Sequence, residues 1–137
     1  MIKKTLMLII ILTPTTLLAQ KMPKGFLVDS DNSIRCAILQ SGLTCEIDNT
    51  VWQPDKAEPD DCEFDRIKIL SMDINGVPAG GWLCTSDTWM HEGIKPLAMG
   101  KNWQAKGYQC ERHKARLLCR NKAGHGWSIG KKSIKLF

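Results

Sequence analysis

The chain has 137 residues, of which 43% are hydrophobic and 24% are charged. These proportions indicate a folded globular protein and exclude a disordered or fibrous one. The length leaves no room for a second domain of ordinary size.

Residues 1–19 predict a secretory signal peptide. Lys3 and Lys4 give a positive start, residues 6–12 form an apolar run, and Ala19 places a small residue before Gln20. The apolar run is too short to span a bilayer, which needs about 20 residues. We therefore expect a single mature domain, residues 20–137, exported to the periplasm or the cell exterior and without a membrane span.

Six cysteines in a small exported chain predict three disulfides. Cys36 and Cys45 enclose eight residues, and so do Cys110 and Cys119. Residues that face each other in a hairpin enclose an even number of residues, and facing positions bring the Cβ atoms close enough for a bridge. The spacing predicts 36–45 and 110–119 as bridged hairpins with their turns at 39–42 and 113–116.

A tryptophan follows the second cysteine of each hairpin at nearly the same distance, Trp52 after Cys45 and Trp127 after Cys119. The repeat indicates an internal duplication of a disulfide hairpin.

The remaining pair is Cys62 with Cys84, which brackets Asn75-Gly76. An Asn-Gly pair between two apolar runs predicts a tight hairpin turn with positive φ at both residues. In that register Cys84 faces Ile67, so the 62–84 bridge has to tie the loop before the strand to the returning strand.

Short runs of alternating apolar residues recur between turn residues and predict strands, with no helical period. The spacing favours a small antiparallel β-sandwich or β-barrel. The predicted strands are 26–28, 33–38, 43–47, 67–74, 82–84, 97–99, 108–110, 117–119, 127–129 and 134–137.

Several local motifs together resemble a bacterial family of small exported six-cysteine proteins built around one domain of unknown function. They are Ile34-Arg35-Cys36, Gly42-Leu43-Thr44-Cys45-Glu46-Ile47, Cys84-Thr85-Ser86-Asp87-Thr88, Gly107-Tyr108-Gln109-Cys110, Cys119-Arg120-Asn121, Gly124-His125-Gly126-Trp127 and Leu136-Phe137. The resemblance supports export and the fold, and it implies no activity.

Charge is divided unevenly along the mature chain. Residues 20–92 carry six Lys or Arg against thirteen Asp or Glu, whereas residues 93–137 carry eleven against Glu111 alone. The two halves either attract each other or leave the basic half to meet an anionic envelope polymer or an acidic protein. The net charge is too small to predict a nucleic-acid partner. Candidate binding cations are Lys114, Arg116, Arg120, Lys122, Lys131 and Lys132.

Three further side chains are candidates for binding. His125 lies between two glycines, where it either binds a ligand or belongs to a structural turn. Trp89 and Trp103 lie in a Gly- and Lys-rich stretch and are expected to be exposed, whereas Trp52, Trp82 and Trp127 are expected in the core.

Catalysis has little support from the sequence. There is no P-loop, no His-Glu-x-x-His and no cysteine left free as a nucleophile, and the histidines are not spaced as zinc ligands. No metal and no cofactor are predicted, and the acidic residues at 55–65 are expected to form a solvated loop.

The leading hypothesis is an exported, non-catalytic binding module. The alternatives are an inhibitor or immunity-type protein that blocks a secreted enzyme, and a small cell-wall or glycan hydrolase using Asp87, His91 or His125.

Overall fold

Ten β-strands account for the regular structure of the described residues, which are 24–28, 33–48, 52–86 and 94–137 of the computed structural model. No helix occurs in these segments. The strands are β1 (Gly25–Val28), β2 (Ile34–Leu39), β3 (Gly42–Ile47), β4 (Asp65–Met72), β5 (Ala79–Thr85), β6 (Asn102–Ala105), β7 (Tyr108–Arg112), β8 (Arg116–Arg120), β9 (Gly126–Gly130) and β10 (Ile134–Leu136). The predicted signal peptide lies outside the described residues.

The strands form two antiparallel sheets, each a simple meander. The first sheet has the order β1-β2-β3-β4-β5, and the second has the order β10-β9-β8-β7-β6. One apolar core joins them, with Phe26 and Leu70 of the first sheet and Leu117 and Trp127 of the second in the same cluster. The all-β antiparallel prediction is confirmed, and the architecture is a sandwich of two sheets.

The two hairpin disulfides form as the spacing predicts. Cys36 is paired directly with Cys45 in β2–β3, and Cys110 with Cys119 in β7–β8. Their Cα atoms are 4.0 Å and 4.1 Å apart, and all four side chains are fully buried. Each bridge therefore lies on the inner face of its sheet, at the centre of the core.

The internal duplication extends beyond the hairpins to the flanking strands. Phe26 of β1 pairs with Cys36 just as Trp103 of β6 pairs with Cys110. The Phe26 and Trp103 rings meet across the core with centroids 5.0 Å apart. Aromatic pairs at this separation add to core stability beyond the area they bury.

The tryptophan repeat is not part of this duplication. Trp127 of β9 pairs with Cys119, and the matching partner of Cys45 in β4 is Leu70. Trp52 precedes β4 and packs against the core, where its ring lies so close to Gly80 that a Cβ there would come within 2.7 Å. The nearly equal Cys-to-Trp spacing is therefore a coincidence, and Gly80 leaves the space that the Trp52 ring fills.

The predicted Asn75-Gly76 turn is wrong. Neither residue has a positive φ, and β4 and β5 pair from Ser71–Ala79 outward, which leaves a longer loop. The Asp73 carboxylate accepts hydrogen bonds from the backbone N–H groups of Asn75 and Gly76, so it organises this loop in place of a tight turn.

A tight turn with positive φ occurs instead between β6 and β7, at Lys106 (φ 49°) and Gly107 (φ 88°). The Cys62–Cys84 bridge is confirmed and ties the loop before β4 to β5, with Cα atoms 5.7 Å apart.

The predicted strand at 97–99 is also wrong, and β6 was not predicted. Residues 95–97 instead contact Leu27 of β1, which donates its backbone N–H to the Lys95 carbonyl and accepts the N–H of Leu97. The one β-bridge of this segment, between Pro96 and Leu27, is parallel. This short segment covers the edge of β1, where an unpaired row of backbone groups would otherwise promote association.

At one end of the sandwich, which we call the sealed end, Asn121 joins the two sheets, beside an open surface recess of about 510 Å³ that Tyr108, Asn121 and Lys122 line. The amide nitrogen of Asn121 donates to the backbone carbonyls of Asp73 (3.0 Å) and Gly76 (2.7 Å) in the first sheet's loop. Its amide oxygen accepts the N–H groups of Ala123 (3.0 Å) and His125 (3.1 Å). Asn121 is only 6% exposed, so one buried side chain satisfies backbone groups in loops of both sheets.

Tyr108 joins the sheets at the same end. Its hydroxyl donates to the backbone carbonyl of Met72 (3.3 Å), and the backbone N–H of Lys122 donates to Ile74 (3.2 Å) nearby. Burial raises the pKa of the Tyr108 phenol, and the Asp73 carboxylate raises it further, against a hydrogen bond from the Leu43 backbone that lowers it.

Replacing Asn121 with alanine should destabilise the protein because it leaves backbone groups of two loops unsatisfied. We expect Asn121→Ala to lower the free energy of unfolding by about 2 to 3 kcal/mol, measured by denaturant unfolding. Asn102→Ala is the matched control, because Asn102 is exposed at the start of β6, and it should change stability by less than about 0.5 kcal/mol. Equal effects of the two substitutions would contradict this role of Asn121.

Tyr108 is the only tyrosine in the chain, so the absorbance of tyrosinate reports on it alone. In the native protein the titration midpoint should lie above the ordinary value of about 10, and it should return to about 10 in denaturant. As pH rises past about 10 the unfolded chain loses this proton first, so the contribution of Tyr108 to stability is complete below that pH and declines above it. A native midpoint at or below the denatured one would contradict the burial of the phenol.

Candidate functional site

The opposite end of the sandwich, which we call the cleft end, contains a cleft between the two sheets. Its floor has two apolar rows set by strand register. Val28, Ile34 and Ile47 are cross-strand neighbours in the first sheet, and Leu117 pairs with Ile129 in the second. The cleft has a volume of about 500 Å³, which is within the range of small-ligand sites. The last inward-facing residues of both sheets thus become the floor of a recess.

Cations from two connections of the second sheet line the rim of the cleft. Lys114 comes from the β7–β8 connection, Arg116 is the first residue of β8, and Lys131 follows β9. All three are exposed and form no ion pair in the part of the chain that the structure describes. Because Arg116 immediately precedes Leu117, and Lys131 follows Ile129 by two residues, the charges lie just beyond the apolar floor.

Other charged residues complete the lining. Arg112 donates to the backbone carbonyl of Leu97 at 2.6 Å, and His113 contacts the Glu111 carboxylate at 3.1 Å. Asp48, from the first sheet, is the one carboxylate among the described lining residues. Four Lys or Arg side chains against one carboxylate leave the lining with a net positive charge, concentrated on the side of the second sheet.

Exposed Met99 adds apolar surface to the lining of the cleft. Met99 is 56% exposed, whereas the large aliphatic residues of the floor are buried. Methionine is unbranched and polarisable, and it adapts to different partner shapes. An exposed methionine beside an apolar floor is therefore suited to contact with an apolar ligand group.

The structure divides the predicted basic residues between the two ends of the sandwich. Lys114, Arg116 and Lys131 line the cleft, and Lys132 follows in the same turn without lining it. Arg120 and Lys122 lie at the sealed end, because β8 carries the chain from Arg116 across the sheet. The Arg120 guanidinium stacks over the Phe137 ring at 5.7 Å.

His125 also lies at the sealed end. Its backbone N–H donates to the Asn121 amide oxygen, and its carbonyl accepts the Asn121 N–H. Its imidazole has no hydrogen bond within the described residues. The backbone of His125 therefore serves the turn before β9, while the imidazole remains a candidate for binding away from the cleft.

Of the two tryptophans expected to be exposed, the structure describes Trp103. Trp103 packs on Phe26 and against the core, so its predicted exposure is wrong. Trp127 is fully buried and Trp52 packs against the core, as expected, whereas Trp82 is half-buried with its indole N–H donating to the Lys56 carbonyl. Trp89 lies outside the described residues, as do Asp87 and His91.

The acidic loop before β4 is solvated, as predicted. All six of its carboxylates are exposed, and Arg66 holds the loop through the Pro59 carbonyl (2.8 Å) and Glu58 (3.5 Å). No group of side chains with metal-ligand geometry occurs among the described residues.

Residues 126–130 spell Gly-Trp-Ser-Ile-Gly, which matches the Gly-x-Ser-x-Gly pattern of serine hydrolases. In those enzymes the serine occupies a sharp turn between a strand and a helix. Here Ser128 is in the middle of β9, paired with Leu118 on one side and Lys135 on the other. The match is therefore not a nucleophile elbow.

Residues 38–137 match the model of a family of unknown function, DUF6636. The chain belongs to this family, and the resemblance to a family built around one domain of unknown function is confirmed. No curated protein and no solved structure matches the chain significantly. Within the described segments, no helix is long and apolar enough to cross a membrane.

Proposed function

We propose that this protein is an exported, non-catalytic binding module that holds an anionic macromolecule at its cleft end. One observation carries the proposal: Lys114, Arg116 and Lys131 converge on the rim of an apolar-floored cleft and form no ion pair in the described part of the chain. Positive charge gathered at a recess attracts an anion and speeds its association.

The ion pairs of the described residues also favour a partner for this surface. Arg35 contacts Glu46 and Arg66 contacts Glu58 within the acidic half, and His113 contacts Glu111 within the basic half. These pairs leave the rim cations of the basic half available. The three disulfides support export, because such bridges persist in oxidising compartments.

The hydrolase alternative has weaker support. The closest pair of titratable groups at the rim is His113 with Glu111, whose side chains are 49% and 42% exposed. No hydroxyl or thiol is hydrogen-bonded to that imidazole within the described residues. A general base needs a nucleophile within hydrogen-bond reach.

Reversing two rim charges should weaken binding without unfolding the protein. We expect Lys114→Glu with Arg116→Glu to lower affinity for poly-L-glutamate by about tenfold or more, because two attractive contacts become repulsive. The measurement is a titration of the oxidised mature protein. Thermal stability should change little, since both side chains are exposed.

The matched control is Lys24→Glu with Lys135→Glu, two exposed lysines outside the cleft that give the same change in net charge. Its affinity should stay near that of the wild type. Raising salt from about 0.1 M to about 1 M should weaken wild-type binding, because the screening length falls from about 10 Å to about 3 Å. Equal loss in both double variants, or binding that is indifferent to salt, would contradict the proposal.

A further inference from the structure

The cleft has two chemical parts, and both constrain its ligand. We infer that the ligand is an acidic segment of another protein that inserts one apolar side chain into the cleft and places its neighbouring carboxylates at the rim cations. The inference rests on the proposed function and names the partner of the same site. Its grounds are the apolar floor, the size of the recess and the placement of the cations.

The apolar floor argues against a partner that offers charge alone. A phosphorylated or sulfated polysaccharide would satisfy the rim cations but would leave Met99, which is 56% exposed beside the buried apolar floor, facing polar groups or water. An apolar side chain placed against Met99 removes this surface and its own from water, which is favourable in proportion to the area buried.

The size of the cleft indicates a segment with one anchoring side chain. About 500 Å³ lies in the lower half of the range for small-ligand sites, about 300–1,000 Å³, and accommodates one large side chain with its adjoining backbone. The floor residues are held by strand register and are at most 9% exposed. The recess is therefore formed in advance, and a preformed site loses little free energy to ordering when it binds.

The charges indicate where the partner's carboxylates lie. Arg116 pairs with Gly130, one position beyond the Leu117–Ile129 pair, and Lys131 follows Gly130, so Lys114, Arg116 and Lys131 all lie beyond the same end of this pair. An anchor on the pair would thus have the cations next to it at the rim, which favours acidic residues adjacent to it in the partner segment. Asp48 repels carboxylates from the first sheet and directs them towards the second.

The test compares two capped pentapeptides of equal charge, Glu-Glu-Phe-Glu-Glu and Glu-Glu-Ser-Glu-Glu. By calorimetric titration against the oxidised mature protein, the Phe peptide should bind about tenfold or more tightly, as expected for burying one apolar side chain. Met99→Ala should reduce this preference several-fold without changing affinity for the Ser peptide. Val77→Ala is the matched control, because Val77 is 70% exposed and lies outside the cleft, and it should leave the preference intact.

The outcomes separate this inference from the proposed function. Equal affinity for the two peptides, or no binding of either by a protein that still binds poly-L-glutamate, would overturn the inference and leave the proposed function standing. Tighter binding of polyphosphate than of the Phe peptide, unaffected by Met99→Ala, would make the partner an anionic polymer and would also overturn the inference. A protein that binds none of these anionic probes would overturn both.

Discussion

Strand register at two buried disulfides is the constraint on which the rest of this structure depends. A slip of one residue in a β-hairpin turns every side chain to the opposite face, and a bridge between directly facing cysteines prevents that slip. On the loop-entropy model, each closure of about ten residues also contributes roughly 3 kcal/mol. With Cys36–Cys45 and Cys110–Cys119 on the inner faces, the inward rows of both sheets are set, including the apolar rows that floor the cleft.

Two similar meanders would give a sandwich with similar ends, and the loops make the ends differ. At the sealed end, Asn121 and Tyr108 donate hydrogen bonds to backbone carbonyls of the other sheet, so polar groups close the core. At the cleft end, Lys114 of the β7–β8 connection and Arg116 at the start of β8 line the recess. The repeated framework thus supplies stability, and its loops separate the sealed end from the cleft end, where we propose that the partner binds.

Local spacing predicted those features that depend on two neighbouring strands, namely the registers and bridges of the two disulfide hairpins, and the Cys62–Cys84 bridge followed as the remaining pair. The tight turn predicted at Asn75-Gly76 is wrong, because the Asp73 carboxylate accepts the backbone N–H groups of this loop and organises a longer connection. The role of Asn121 could not be predicted, because its partners are about 45 residues away in the other sheet. The five-residue length of β8 already separates Arg116 from Arg120. Which of the two ends contains the cleft could not be predicted, because it depends on how the sheets stack.

The central claim is that the cleft end, and not the sealed end, is the binding surface. The most direct measurement is a map of backbone amide chemical-shift changes in the oxidised mature protein as poly-L-glutamate is added. The account predicts that the shifts concentrate at 112–117, 129–131 and Met99, where the cleft is lined. Shifts concentrated instead at 120–125 around Arg120, Lys122 and His125, or spread evenly over all exposed lysines, would contradict it.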